Sequence, residues 1–330
     1  MIAPTFGAAN LQWVGVASET TYGTAAAAPT TFAPVITPVW THPTDKYTDD
    51  ALHGSMGAEF QQINGMRTGD GFTFTTYCYI DQVFTFLRQM LGYPDVLTGA
   101  ADPYTHKTSL TSAAATNGQP TGTTIWWYDA VGKCVQMTGA QMSDLKLTVN
   151  TGGYVTLAVT YVALPGAFIT PPTQTPTTTV GMPGWKSIIT LAGTAMTAWS
   201  EIAIDFKRGT SSIPTVNGTQ SPFAIFAGPM TVSSTIKAVY AGSTDAMLVN
   251  ELTNVQPTLL VNLSPVGDAV HSIQLQFSKV AYDLADPTGS NKWMEISGTT
   301  KMLTNPTDVA AGGNQSPCLV TLLSPISTAI

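Results

Sequence analysis

The chain has 330 residues, of which 44% are hydrophobic and only 10% are charged. Globular chains usually have about 25% charged residues, so this composition indicates an assembly subunit that covers part of its surface with other molecules. The formal net charge of −7, from 13 basic and 20 acidic residues, argues against a surface built to grip nucleic acid, because such surfaces need clustered Lys and Arg.

The three cysteines, Cys78, Cys134 and Cys318, are widely spaced and form no C-x-x-C pair. This spacing predicts buried free thiols and argues against a disulfide framework or a zinc site. The first ten residues lack the charged start and apolar core of a secretory signal, and no stretch approaches the roughly 20 apolar residues of a membrane span. We therefore expect that the protein does not associate with a membrane and that it is assembled in a cytoplasm.

The first strand is predicted at Leu11–Ala17. The segment His42–Met66 has little periodicity and contains three glycines, so it is typical of a long loop. A loop of about 25 residues in a compact domain usually has a function or is mobile. Its charged residues are mainly acidic: Asp45, Lys46, Asp49, Asp50 and Glu59.

A strand followed by a short helix comes next. Gly71–Asp81 alternates in the manner of a half-buried strand, and Gln82–Leu91 has the three-and-four spacing of an amphipathic helix that ends at Gly92. The apolar positions of both elements predict a shared core formed by Phe72, Phe74, Ile80, Val83, Phe86, Leu87 and Met90.

The rest of the first half predicts strands alone. They lie at Thr124–Tyr128, Val135–Thr138, Asp144–Asn150 and Tyr154–Tyr161, and the last two form a hairpin around two glycines. Repeated Pro and Thr in residues 165–184 then predict an extended linker. We expect a first domain at 1–164 and a second at 185–330.

The second half repeats the order of elements. Its strands are predicted at Glu201–Arg208, Met230–Tyr240, Thr258–Leu263, His271–Asp283 and Lys292–Lys301, with a short helix at Thr244–Thr253. Identities between the halves are too few to prove a duplication, which stays a hypothesis. The apolar end, Cys318–Ile330, is expected to form a strand that pairs with a neighbouring subunit.

Several segments together resemble the tail tube proteins of siphophages, which are phages with long non-contractile tails. The segments are SETTYGTAAAAP (Ser18–Pro29), GDGFTFTTYCYIDQVFTFLRQMLG (Gly69–Gly92), ADPYTHKTSL (Ala101–Leu110), SDLKLTVNTGGYVTLAVTY (Ser143–Tyr161) and PFAIFAGPMTVSSTIKAVY (Pro222–Tyr240). The resemblance implies a mainly β fold of two tandem sandwich or barrel-forming domains, each with one short helix. Such domains assemble into a ring with a continuous inner β-barrel.

The resemblance also implies partners and a location. Two tube domains in one chain favour a trimeric, pseudo-hexameric ring, with a hexamer as the alternative. Stacked rings form a tube, through which the tape measure protein and DNA pass without specific binding, and terminator and tip proteins close its ends. The location is the virion tail, assembled in the bacterial cytoplasm. We expect His42–Met66 to contact the adjacent ring, and the net charge predicts a negative or neutral lumen.

No residues support catalysis or cofactor binding. The four histidines, His42, His53, His106 and His271, have no second ligand at metal spacing and are expected on loops or at the surface. There is no G-x-S-x-G, P-loop or G-x-G-x-x-G motif. Two other classes remain open: a monomeric β-sandwich that binds glycans or belongs to a fibre, and another structural part of the head or tail.

Overall fold

The fold is mainly β, as the composition predicts. The computed structural model describes residues 9–51, 61–112, 117–216, 218–289 and 293–330. Before residue 184 the elements are β1 (Trp13–Ser18), β2 (Thr31–Pro34), β3 (Ile36–Thr41), β4 (Thr44–Asp49), β5 (Gln61–Arg67), β6 (Asp70–Tyr77), α1 (Val83–Leu91), β7 (Val96–Thr98), β8 (Tyr104–Ser109), β9 (Thr123–Tyr128), β10 (Cys134–Asn150), β11 (Thr156–Ala163) and β12 (Ala167–Ile169). After it come β13 (Ile188–Leu191), β14 (Thr194–Ala195), β15 (Trp199–Ile213), β16 (Ala224–Val239), α2 (Ala246–Thr253), β17 (Leu259–Leu263), β18 (Ser272–Phe277), β19 (Val280–Gly289), β20 (Met294–Met302) and β21 (Leu319–Ser324).

The main sheet is an open antiparallel path of eight strands, in the order β19-β20-β16-β15-β10-β11-β6-β3. We call this path the large sheet. Four of its strands precede residues 165–184 and four follow them, and the two groups meet where β10 pairs with β15. The open ends of the path are β19 and β3.

Two further layers cover one face of the large sheet. A seven-stranded sheet has the order β14-β13-β17-β18-β21-β8-β7. The first part of β10 pairs with β9 and β12, β9 also pairs with β1, and β1 pairs with β2. β10 thus pairs with β9 and β12 along its first part and with β11 and β15 along its second. Its register shifts between Met137 and Ala140, where Gly139 adopts the positive φ of 58° that favours glycine.

The core lies between the layers and contains α1. Eight of the nine residues of α1 are buried, and the helix packs on β10, β8 and β21. Within this core Gln89 accepts a hydrogen bond from the Tyr161 hydroxyl. The residues named above for the strand-helix core are all buried: Phe72, Phe74, Ile80, Val83, Phe86, Leu87 and Met90.

The structure corrects four predictions about the elements. β10 is one continuous strand of 17 residues rather than two, and the predicted strand His271–Asp283 is divided into β18 and β19. The predicted linker contains the short strand β12, paired with β10. The C-terminal strand β21 pairs with β8 and β18 of its own chain, so the prediction that it pairs with a neighbouring subunit is wrong.

Candidate assembly surfaces

The two open edges of the large sheet are long, whereas those of the seven-stranded sheet are short. β3 has six residues and β19 has ten, but β7 has three and β14 has two. Long open edges present unpaired N–H and C=O groups, and very short edge strands are a common protection against such pairing. The large sheet is therefore the layer that can be extended by another chain.

Each long edge contains one proline, Pro38 in β3 and Pro287 in β19. Proline has no N–H to donate and is confined to edge strands, first positions and bulges of sheets. In β3 it lies within a register shift between Ile36 and Val39. A ladder formed with another chain would be interrupted at these points and carried by the remaining residues.

One face of the large sheet carries small polar side chains and is not part of the core. Cross-strand pairs such as Thr73 with Thr160 and Thr235 with Thr299 are only partly buried. Their chain neighbours Phe72, Phe74 and Ile236 point into the core. Threonine suits such a surface, because its branched side chain packs against neighbours on a pleated sheet.

The lysines of this face lie beside carboxylates. Three form ion pairs with N–O distances of 3.9, 2.8 and 2.9 Å: Lys146–Asp205, Lys237–Glu201 and Lys301–Asp283. A fourth, Lys207, is the cross-strand partner of Asp144. Burial raises the pKa of Asp144, while Lys207 lowers it. Each positive charge on this face is therefore accompanied by a carboxylate.

The segment His42–Met66 is partly a β-hairpin, so the prediction of an irregular loop is wrong. β4 and β5 form a separate two-stranded sheet, which we call the arm. Asp45, Lys46 and Asp49 lie on β4, Asp50 follows it, and Glu59 and His53 lie outside the described residues. The Lys46 ammonium donates to the Asn64 side chain across the arm. Tyr47 and Ile63 are exposed by 54% and 60%.

The buried carboxylate of Asp70 fixes the base of the arm. It accepts hydrogen bonds from Trp40 Nε1 at 2.9 Å, Arg67 Nη2 at 2.6 Å and the Gly166 backbone N–H at 2.9 Å. Trp40 lies in β3, just before the arm, and Arg67 is the last residue of the arm. The Asp70 side chain therefore connects the two ends of the arm. The connection between β15 and β16 adds a second contact, because Gln220 Nε2 donates to the Asn64 carbonyl at 3.0 Å.

Glu19 and Tyr22, from the segment SETTYGT, organise the same end of the large sheet. Glu19 is buried and accepts from the Gly139 N–H, the Gly23 N–H and the Thr124 hydroxyl. The Tyr22 hydroxyl donates to the Gly139 carbonyl and accepts from the Ile225 N–H, the latter at 2.6 Å. These contacts tie the start of β16 to the bulge in β10.

Sequence analysis missed Glu19, Tyr22 and Asp70 as structural anchors. All three lie in segments quoted for the resemblance, and the signal available for both acids was a lone carboxylate among Ser, Thr and Gly, residues that expose backbone donors. That signal does not indicate the partners of Asp70, which come from three separate parts of the chain.

Two of the histidines, His106 and His271, are held by carboxylates. His106, expected on a loop, is fully buried: its ring bonds to Asp95 at 2.7 Å and to the Ile326 carbonyl at 2.9 Å. His271 lies between Asp102 and Asp268, at 2.8 and 2.6 Å. The bond to Asp102 raises the pKa of His271, and the His271 backbone N–H lowers the pKa of Asp268 to about 2. Among the described residues no group of three or more metal-ligating side chains comes together.

In the part of the chain that the structure describes, neither α-helix has the length and apolarity to cross a membrane. Among curated proteins none matches the chain. Residues 10–315 match the family described as phage tail tube protein, and this span is most of the chain. Membership implies a structural component of the virion tail whose copies stack into a tube. The chain belongs to the phage tail tube protein family.

Proposed function

We propose that the chain is a fusion of two tube domains, residues 1–164 and 185–330, and that three copies close one ring of the tail tube, with a six-copy ring as the alternative. The strand order of the large sheet supports the fusion. Along the path, the first half runs β10-β11-β6-β3 and the second runs β19-β20-β16-β15. The strands of each half therefore fill the four places of its path in the same way: the first strand in the chain takes the fourth place, the second takes the third, the third takes the first and the fourth takes the second. In each half the helix lies between the second and third of these strands in the chain.

Irregularities in the two halves correspond as well. β10 has a register shift opposite β11 between Met142 and Asp144, and β19 has one opposite β20 between Tyr282 and Leu284. Helix α1 packs on β10 and α2 on β19, which are the equivalent strands. Bulges are kept within families because they set the local bend of a sheet. A shared bulge between equivalent strands supports a common origin of the halves.

Strand direction supports closure of the ring through the large sheet. The path has eight antiparallel strands, so its two end strands, β3 and β19, run in opposite directions. In a cyclic ring every copy has the same orientation along the axis, and β3 of one copy would therefore meet β19 of the next in an antiparallel pair. Closure removes the open edges that each single chain has.

The size of the closed sheet favours three copies. Three copies of eight strands supply 24, and at about 4.8 Å per strand the barrel is about 37 Å across before strand tilt widens it. Inward side chains occupy about 5 Å on each side, leaving roughly 27 Å. Six copies would leave roughly 63 Å by the same reasoning. The smaller opening suits a single DNA double helix.

The Thr-rich face of the large sheet is our proposed lining of this opening. DNA has one negative charge per about 1.7 Å, and each unpaired cation facing it would form a phosphate contact that retards passage. On this face Lys146, Lys237 and Lys301 are engaged by carboxylates. We therefore expect neither the tape measure protein nor DNA to be bound specifically. Replacing Glu201 and Asp205 by their amides should make assembled tubes retain duplex DNA at low salt, while unaltered tubes release it.

The segment His42–Met66, which contains most of the arm and carries Asp45, Lys46, Asp49, Asp50 and Glu59, is our proposed contact to the adjacent ring. Its exposed Tyr47 and Ile63 give it apolar surface that a partner can cover. Terminator and tip proteins would use the same surfaces at the ends of the tube. The complete tail would be assembled in the bacterial cytoplasm, and we assign the chain no catalytic activity. Deleting residues 44–67 should leave rings that no longer stack.

The observation that carries the proposal is the matching four-strand order of the two halves. Electron microscopy of the purified full-length chain tests it: we expect rings and hollow filaments with threefold symmetry. A sixfold ring of six chains would contradict the trimer but keep the tube. A stable monomer at all concentrations, as a glycan-binding module would give, would contradict the function itself.

A further inference from the structure

Helix α2 has an apolar face that the described residues leave uncovered. Val249, Leu252 and Val255 are exposed by 37%, 72% and 51%, and of the eight residues of α2 only Met247 is buried. The helix is well formed, with Asp245 as its N-cap accepting from the Met247 N–H. Val249 and Leu252 lie on α2 and Val255 follows its C-terminus, and exposed apolar residues clustered in this way indicate a contact surface rather than scattered surface residues.

The equivalent helix in the first half has no such face. In α1 every apolar residue is buried, and among the elements that cover it is β21, which comes from the second half of the chain. In the tandem arrangement, the second half lies next to the first at the junction between β10 and β15. The helix of the first half is thus covered in part by the domain that follows it around the path.

At α2 the domain that would follow is another copy. The helix packs on β19, the open edge of the large sheet, and β19 occupies the place that β10 has in the first half. From this placement, and resting on the proposed ring, we propose that the face of Val249, Leu252 and Val255, which we call the α2 face, docks on the first half of the next copy, beside its β3 edge.

The proposal adds a side-chain contact to the backbone pairing of β3 with β19. Such a contact is needed because Pro38 and Pro287 interrupt the ladder that the two edges can form. A hydrophobic patch also helps to fix the register of that pairing, because both edge strands are largely exposed and so specify their register weakly. The α2 face is therefore assigned a role in closing rings and none in stacking them.

A substitution that keeps the helix but removes the apolar face tests this. Gln has nearly the helix propensity of Leu, so Leu252→Gln should retain the far-UV circular dichroism of the unaltered chain. We expect it to raise the concentration needed for ring formation, measured by sedimentation, by at least tenfold. Val270→Gln is the matched control, because Val270 is 50% exposed on the loop before β18; it should form rings like the unaltered chain.

An engineered thiol gives a second readout. The three native cysteines are buried, so Leu252→Cys introduces one accessible thiol. Its labelling by a maleimide should fall at least tenfold when subunits become rings, whereas Val270→Cys, at the exposed site of the first control, should label equally in both states.

The outcomes separate the two proposals. Rings formed by Leu252→Gln at the unaltered concentration, or full labelling of Leu252→Cys within rings, would overturn the role of the α2 face and leave the tube function standing. An unaltered chain that forms no rings would overturn both.

Discussion

Removing the Asp70 carboxylate should loosen the arm while preserving the rest of the fold. In Asp70→Ala, two neutral donors, Trp40 Nε1 and the Gly166 N–H, lose their acceptor, at a cost of roughly 1 kcal/mol each. The bond from Arg67 is charge-assisted and worth about 2 kcal/mol, but its side chain is 25% exposed and water can replace part of this. We expect the free energy of unfolding to fall by about 3 kcal/mol.

Urea unfolding of the unassembled subunit at low concentration measures this change. Asp283→Ala is the control: it removes a carboxylate from the exposed ion pair with Lys301 and should cost about 0.5 kcal/mol. Hydrogen exchange should show faster exchange in the arm of Asp70→Ala, and the variant should form rings that stack poorly. Equal stability of the two variants, or normal stacking by Asp70→Ala, would refute the anchoring role.

Three other predictions follow from local geometry. Because contact with Asp102 raises the pKa of His271, the stability lost in His271→Gln should be greatest below about pH 6.5 and disappear as pH rises through the folded-state pKa; a loss confined to alkaline pH in urea titrations would contradict this. Gly184→Ala should unfold the subunit far more readily than Gly152→Ala, because a Cβ at 184 would lie 1.8 Å from the Asn150 carbonyl oxygen while one at 152 meets nothing within 4 Å; similar melting temperatures would be evidence against this packing. Native protein should not react with Ellman's reagent, and urea should expose three thiols, because burial raises the thiol pKa of each cysteine. These are Cys78, Cys134 and Cys318. Reaction of the native form would show that burial is incomplete.

Local periodicity predicted most elements because it reflects burial of one face. The predicted helix Gln82–Leu91 agrees with α1 to within one residue, and the strand predicted before it agrees with β6 to within a few residues. The three-and-four spacing and the strict alternation are strong signals in these two segments. The division of β18 from β19 was missed because Ser278 and Lys279 interrupt the alternation only briefly.

Features that depend on distant partners could not be predicted. The arm was interpreted as a loop because both of its strands are exposed and so have no apolar alternation. Strand β21 was assigned to a neighbouring copy because its partners, β8 and β18, lie far away in sequence. His106 resembled a surface residue until Asp95 and the Ile326 carbonyl supplied its hydrogen bonds.

The arm joins β3 to β6, whereas the corresponding connection in the second half, between β15 and β16, has about ten residues and no strands of its own among those described. A ring of three fused chains would thus present long and short projections in alternation, three of each. Successive rings could then seat on one another in three equivalent rotational settings instead of six. The fusion would therefore allow fewer rotational positions between successive rings than a ring of identical single domains allows.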